Sequence, residues 1–173
     1  MEDQSPKTGK FALNYGVLLG GISIIFGLML YFMDMHYRQD TSILIVTLVI
    51  MLGVIILGMK QFKKANMGYM SFSQGLKVGL GICLIGGIIS MAYQLILSNV
   101  IDPEMMNKQL EIARFNMQEM GMSEENIEAQ MEISKKFSGP GMQIAFGLIS
   151  AIFIGFILSI FPALIMKKTE SES

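Results

Sequence analysis

The chain has 173 residues, of which 52% are hydrophobic and 16% are charged, and its formal net charge at pH 7 is −1. A mean hydropathy of +0.53 excludes an ordinary soluble domain and favours a protein that lies in a lipid bilayer. Because the net charge is close to zero, there is no strong positive field to attract nucleic acid, and we expect no nucleic-acid partner.

Four stretches contain no Asp, Glu, Lys, Arg or His, and each is long enough to cross a bilayer as a helix. They cover residues 11–33, 41–59, 78–101 and 142–166. At about 1.5 Å per residue these stretches reach roughly 28–37 Å, against about 30 Å for the hydrocarbon core. The sequence therefore predicts an all-α fold, an integral membrane four-helix bundle that forms a single membrane domain over residues 1–173.

Lysine and arginine are unevenly distributed between the two sides of the predicted spans. The two tails and the connection 60–77 hold eight of them, while the connections 34–40 and 102–141 hold five in a longer total length. Short connections rich in Lys and Arg stay in the cytoplasm. Both termini are therefore predicted to be cytoplasmic, and the inverted orientation is the alternative.

Small residues recur at four-residue spacing in the first, third and fourth spans. In lipid, such rows of small residues mark the helix faces where backbones can approach closely. Packing within the bundle, a dimer interface and the wall of a small-molecule cavity are the interpretations that this spacing leaves open. The candidates for helix packing or for an interface are Gly16, Gly20, Gly79, Gly87, Gly147, Ala151, Gly155 and Ser159.

The long connection 102–141 predicts an amphipathic helical hairpin on the extracytoplasmic side. Its apolar residues repeat with steps of three and four, Gly121 is a natural end for the first helix, and Ser123 can cap a second helix. The hairpin could fold over the mouth of the bundle, or its helices could extend the third and fourth spans. The segment carries eight acids and four bases. Its candidates for contact with a partner or with lipid headgroups are Met106, Leu110, Met117 and Met120.

The spans offer few groups for chemistry. Ion pathways and proton relays usually need Asp, Glu, Lys, Arg or His inside the bundle, and the predicted spans contain none of these residues. His36 is the single histidine, lies between Asp34 and Asp40 in the first connection, and is interpreted as solvated surface. We therefore expect no catalytic residue, no metal and no cofactor. The polar residues that could lie deep in the membrane are Ser23, Thr47, Ser90, Gln94 and Ser150.

Three short motifs resemble those of a known family. They are Asn14-Tyr15-Gly16 continuing to Gly20, the run from Ser71 to Gly79 that begins Ser-Phe-Ser-Gln-Gly, and Val100-Ile101-Asp102-Pro103. On these residues the chain resembles a bacterial family of four-span membrane proteins catalogued only as a domain of unknown function, whose members have a long charged segment before the last span. The resemblance implies location in the bacterial cytoplasmic (inner) membrane and brings no catalytic residues.

Two functional hypotheses follow from these features. The first is a non-enzymatic accessory or scaffold subunit of a bacterial membrane assembly, with a membrane-protein partner or a second copy bound through the hairpin or a row of small residues. The alternative is a small carrier or binder of an uncharged or lipid-like ligand, held between the spans near Ser90, Gln94 and Ser150. A polar-lined cavity open to one side would favour the alternative, whereas a tightly filled bundle would argue against it.

Overall fold

A computed structural model describes residues 6–38 and 40–168 of the chain. Residues 1–5, 39 and 169–173 of the predicted domain lie outside the described part. The described residues form six α-helices and no β-strand, which confirms the all-α fold. In chain order the helices are α1 (Thr8–Phe32), α2 (Thr41–Ala65), α3 (Phe72–Ile96), α4 (Met105–Glu119), α5 (Glu124–Phe137) and α6 (Pro140–Met166).

Four of these helices are long and apolar enough to cross a membrane, as the four uncharged stretches predict. They are α1, α2, α3 and α6. α3 continues through a π-helical turn at Leu97–Ile101. The bundle therefore has two ends that can be told apart by their connections. We call the end where α1 begins and α6 finishes the terminal end. The opposite end, which carries residues 33–38 and 102–139, is the hairpin end.

A capping box starts α3 at Phe72, ahead of the predicted start of the third span. The backbone N–H of Gln74 donates to Ser71 Oγ (3.2 Å), and the backbone N–H of Ser71 donates to Gln74 Oε1 (2.8 Å). These bonds satisfy two donors that the start of a helix otherwise leaves unpaired. The Ser-Phe-Ser-Gln-Gly motif thus has a structural role, which is to begin α3 at the terminal end.

α3 lies at the centre of the bundle, where it packs against α1, α2 and α6. Its glycines occupy two different sides of the helix. Gly81 and Gly86 face α1, while Gly79 and Gly87 face α6. Because a glycine presents no side chain, both neighbouring helices can approach the backbone of α3 closely at the same level of the membrane.

The buried core lies at the terminal end of the bundle. In α2 the buried residues all fall between Val54 and Phe62, and none of residues 41–53 is buried. In α1 they fall between Ala12 and Gly20, again in the half nearer the terminal end. α2 therefore packs tightly against its neighbours at one end and separates from them toward the other. The core cluster consists of Leu19, Val54, Ile55, Met59, Phe62, Met70, Val78, Ile82, Cys83 and Ala163.

α4 and α5 pack on each other as the predicted amphipathic hairpin. Ile127 of α5 is fully buried, and the guanidinium of Arg114 in α4 donates to the carboxylate of Glu124 at the start of α5. This hydrogen bond holds the pKa of Glu124 below its ordinary value. Non-helical backbone at Asp102 and Gly139 separates the hairpin from α3 and α6, so neither of its helices continues a span.

Replacing Gly155 by Leu should destabilise the bundle, because an added Cβ would lie 2.6 Å from Cys83 Cβ in α3. Overpacking of a close contact typically costs about 1–3 kcal/mol. Gly53→Leu is the matched control, since a Cβ at that position meets no atom within 4 Å. We expect thermal unfolding in detergent to shift down by several degrees for Gly155→Leu alone. If this variant instead keeps its melting temperature and loses self-association, the row of small residues faces a second chain.

Candidate functional site at the hairpin end

A crevice of about 210 Å³ lies between α1, α2 and α3 in the half of the bundle nearer the hairpin. It lies beside the first half of α2, in which none of residues 41–53 is buried. We call it the hairpin-end crevice. Its polar lining consists of Ser23, Thr47, Ser90, Tyr93 and Gln94, and its apolar lining consists of Phe26, Gly27, Leu30, Ile43 and Ile50. No charged side chain of residues 6–38 or 40–168 lines the crevice, so these walls are suited to an uncharged ligand.

Four of the five polar residues predicted to lie deep in the membrane line this crevice together. The fifth, Ser150, is exposed on α6 and does not line it. Tyr93 was not among the deep polar residues predicted from the sequence, although it has a polar hydroxyl within an otherwise apolar span and precedes Gln94 directly. Its ring packs against Gly27 of α1, where an added Cβ would lie 2.6 Å from Tyr93 Cε1. Gly27 therefore makes room for the tyrosine in the crevice wall.

The polar groups of the crevice differ in whether they already have a hydrogen-bond partner. Thr47 Oγ1 donates to the Ile43 carbonyl one turn earlier (2.8 Å), so it is satisfied within α2. Within the described part of the chain, the acceptor for Gln94 Nε2 is a weak one, Met105 Sδ at 3.8 Å. Tyr93 Oη is buried and has no hydrogen-bond partner among the described residues. An unpaired buried hydroxyl costs about 1–3 kcal/mol, so a ligand that bonds to it would recover this free energy.

A second cavity, of about 300 Å³, lies on the other side of the same part of α3, against α6. Ser90 and Gln94 line both cavities. The small residues Gly87 and Gly147 border the second one, as does Gln143 near the start of α6. The face of α3 that carries Ser90 and Gln94 is thus flanked by open space on both sides at the hairpin end.

The eight small-residue candidates all face another helix of the same chain. An added Cβ at any of the six glycines among them would lie within 3.0 Å of a side chain in the facing helix. These contacts leave the rows inside the bundle, where they set how closely α1 and α6 approach α3. The facing pairs are Gly16 with Ile85, Gly20 with Ile89, Gly79 with Ser159, Gly87 with Ala151, Gly147 with Met91 and Gly155 with Cys83.

His36 is not the solvated surface residue that the sequence suggested, since its side chain is only 4% exposed. Its Nε2 lies 3.0 Å from Asp102 Oδ2, and Lys108 Nζ lies 3.7 Å from the same oxygen. The hydrogen bond from His36, with the charge of Lys108 nearby, holds the pKa of Asp102 below its ordinary value. These contacts, which we call the His36–Asp102 tie, join the first connection to the base of the hairpin.

The four contact residues predicted for the hairpin differ in exposure. Met106, Leu110 and Met117 are half-buried, while Met120 is 70% exposed. Other large apolar side chains of the hairpin are also exposed, although they lie outside the spans. They are Phe115, Ile133 and Phe137.

The fold defines a multi-pass α-helical membrane protein with a helical hairpin before its last span. A family model described as "Protein of unknown function (DUF4199)" matches residues 14–168, and the chain belongs to this family. This confirms the resemblance seen in the sequence. No curated protein and no solved structure matches the chain.

Replacing Asp102 by Asn should loosen the His36–Asp102 tie, because the neutral amide loses the charge that attracts Lys108. Asp34→Asn, an exposed change in the same connection, is the control. The pKa of Asp102 is lowered on folding. The contribution of its carboxylate is therefore present above the ordinary Asp pKa of about 4 and is lost as the pH falls through the lowered value.

Hydrogen exchange in residues 33–38 should therefore be faster in Asp102→Asn than in the wild type at neutral pH, and this difference should shrink below about pH 4. Equal exchange rates at neutral pH would contradict a role for the tie.

Proposed function

We propose that this protein is a non-enzymatic, multi-pass protein of the bacterial cytoplasmic membrane that binds an uncharged or lipid-like ligand in the hairpin-end crevice. The observation that supports this function is the crevice itself, a partly polar cavity between α1, α2 and α3. It lies in the half of the bundle that the core cluster does not occupy. An accessory-subunit role depends less on the rows of small residues than the sequence suggested, since these residues face helices of the same chain.

The lining of the crevice favours an uncharged ligand. A charged group would lose its hydration in the membrane without finding an opposite charge in this wall. Apolar walls with a few polar groups are typical of sites that orient a small amphiphile. At about 210 Å³ the cavity is smaller than the roughly 300–1,000 Å³ of sites for drug-sized molecules, so it suits part of one acyl chain or the neutral head of a lipid.

The hairpin is placed where it can respond to a ligand in the crevice. Gln94 of the crevice wall contacts Met105, the buried first residue of α4. The His36–Asp102 tie connects the base of the hairpin to the segment that leads into α2. A ligand that moves Gln94 or the start of α2 would therefore act on residues that hold the hairpin.

Filling the crevice should abolish ligand binding. We expect a photoactivatable monoacylglycerol in nanodiscs to label peptides of α1 and α3 that line the crevice in the wild type. Ser90→Leu, which adds bulk to the crevice wall, should reduce this labelling strongly. Ser150→Leu, which places the same side chain on an exposed face of α6, should leave it unchanged. Equal labelling of both variants would contradict binding in the crevice.

A second function, an accessory or scaffold subunit, is favoured by the exposed apolar side chains of the hairpin. Phe115 is 58% exposed, Met120 70% and Ile133 54%, all outside the spans. Large exposed apolar side chains outside the spans are candidates for contact with a partner. The partner would be another membrane protein or a second copy of the chain. With the termini in the cytoplasm, as the eight lysines of the terminal end favour, this surface would lie outside the cytoplasm.

An amine-reactive cross-linker that cannot cross membranes, added to spheroplasts, checks both the partner and the orientation. We expect it to join the exposed Lys135 or Lys136 to a second chain. The double variant Phe115→Ser with Met120→Ser should lose the product, because it removes apolar contact area, whereas Gln130→Ser should retain it. No product in the wild type would contradict the accessory role. A product formed only after permeabilisation would reverse the orientation.

A further inference from the structure

We propose that a groove at the terminal end, between α1 and α2, binds a phospholipid with an anionic headgroup. The groove has a volume of about 560 Å³ and lies at the opposite end of the bundle from the hairpin-end crevice. It is lined by Lys10, Asn14, Tyr15 and Gln61, together with the apolar residues Phe11 and Leu18. This lining combines a cation and two amides with apolar walls, and nothing in the proposed function uses it.

The groove changes character along the membrane normal in the way that a phospholipid does. Lys10 lies in the first turn of α1, which begins at Thr8, so it is close to the membrane surface. Leu18 lies two turns further along the helix, about 12 Å deeper. Phe11 is held by an edge-on contact with Phe62, with 5.4 Å between ring centroids. A headgroup beside Lys10 would thus place its acyl chain along Leu18.

The charge of the terminal end favours an anionic headgroup. With both tails counted in full, this end carries eight lysines and four acids. Some of these lysines have structural contacts, as Lys63 donates to the Met166 carbonyl (2.7 Å) and Lys168 lies over the Tyr69 ring. Lys10 and Lys64 form no ion pair with another described residue. Basic pockets between helix ends are typical sites for anionic lipid headgroups.

The size and lining of the groove distinguish a lipid from a free anion. A volume of about 560 Å³ falls within the range of roughly 300–1,000 Å³ for specific small-molecule sites. A free phosphate ion would contact the polar side chains alone and would not occupy the apolar part of the groove at Phe11 and Leu18. A phospholipid fills both parts, since its headgroup meets the polar side chains and its chain covers the apolar ones.

Native mass spectrometry of the full chain released from mixed micelles tests this proposal with phosphatidylglycerol and phosphatidylcholine as the probes. The wild type should retain phosphatidylglycerol in preference. Lys10→Ala should lower this retention about fivefold, the effect expected for one lysine near an anionic membrane surface. Lys77→Ala is the matched control, because it removes an exposed lysine from the same end and does not line the groove.

A gain of binding provides a second test that does not depend on weakening the protein. Gln61→Lys adds a cation to the groove wall and should raise retention of phosphatidylglycerol above the wild-type level. Inorganic phosphate added to the micelles should not displace the lipid. The proposal would be overturned by equal loss in Lys10→Ala and Lys77→Ala, by equal retention of the two lipids, or by displacement with phosphate.

Discussion

The close contact of α3 with α1 and α6 is the interaction on which the rest of this structure depends. Hydrocarbon chains are as apolar as leucine, so burial gives little force between helices in lipid, and association must come from close packing. α3 meets this need with glycines on two sides, Gly81 and Gly86 toward α1 and Gly79 and Gly87 toward α6. α1 and α6 need no contact with each other for this three-helix arrangement to form, because each packs on α3.

α2 packs less closely in its first half, and the hairpin-end crevice is a consequence of this looser packing. Its first half is rich in Ile, Leu and Val, which keep neighbouring backbones apart, and the hydroxyl of Thr47 is satisfied within the helix. Its second half joins the core through residues such as Met59 and Phe62. The buried core is therefore at the terminal end, while α2 leaves the hairpin-end crevice between itself and its neighbours at the other end. The core cluster and the hairpin-end crevice therefore lie in different halves of the same four helices.

The contacts made by the segments between the helices also differ between the two ends of the bundle. At the terminal end, the capping box at Ser71 and the bond from Lys63 to the Met166 carbonyl tie the helices together. At the hairpin end, the His36–Asp102 tie and the weak contact of Gln94 with Met105 link the base of α4 to the open part of the bundle. The hairpin is therefore joined to the bundle through contacts at its base.

The sequence by itself determined the spans and the two amphipathic helices of the connection 102–141, because absence of charge and helical periodicity are local properties that lipid and water select directly. Whether these two helices form a hairpin or extend the spans was left open by the sequence and was decided by the structure. Gly121, whose φ of +75° favours glycine, ended α4 where the sequence placed it. The sequence also identified Ser23, Thr47, Ser90 and Gln94 as deep polar residues. Only the tertiary structure decided that they line one crevice with Tyr93, and that His36 is buried against Asp102. These relations join residues far apart in the chain, and they depend on the distances between helices, which packing alone sets.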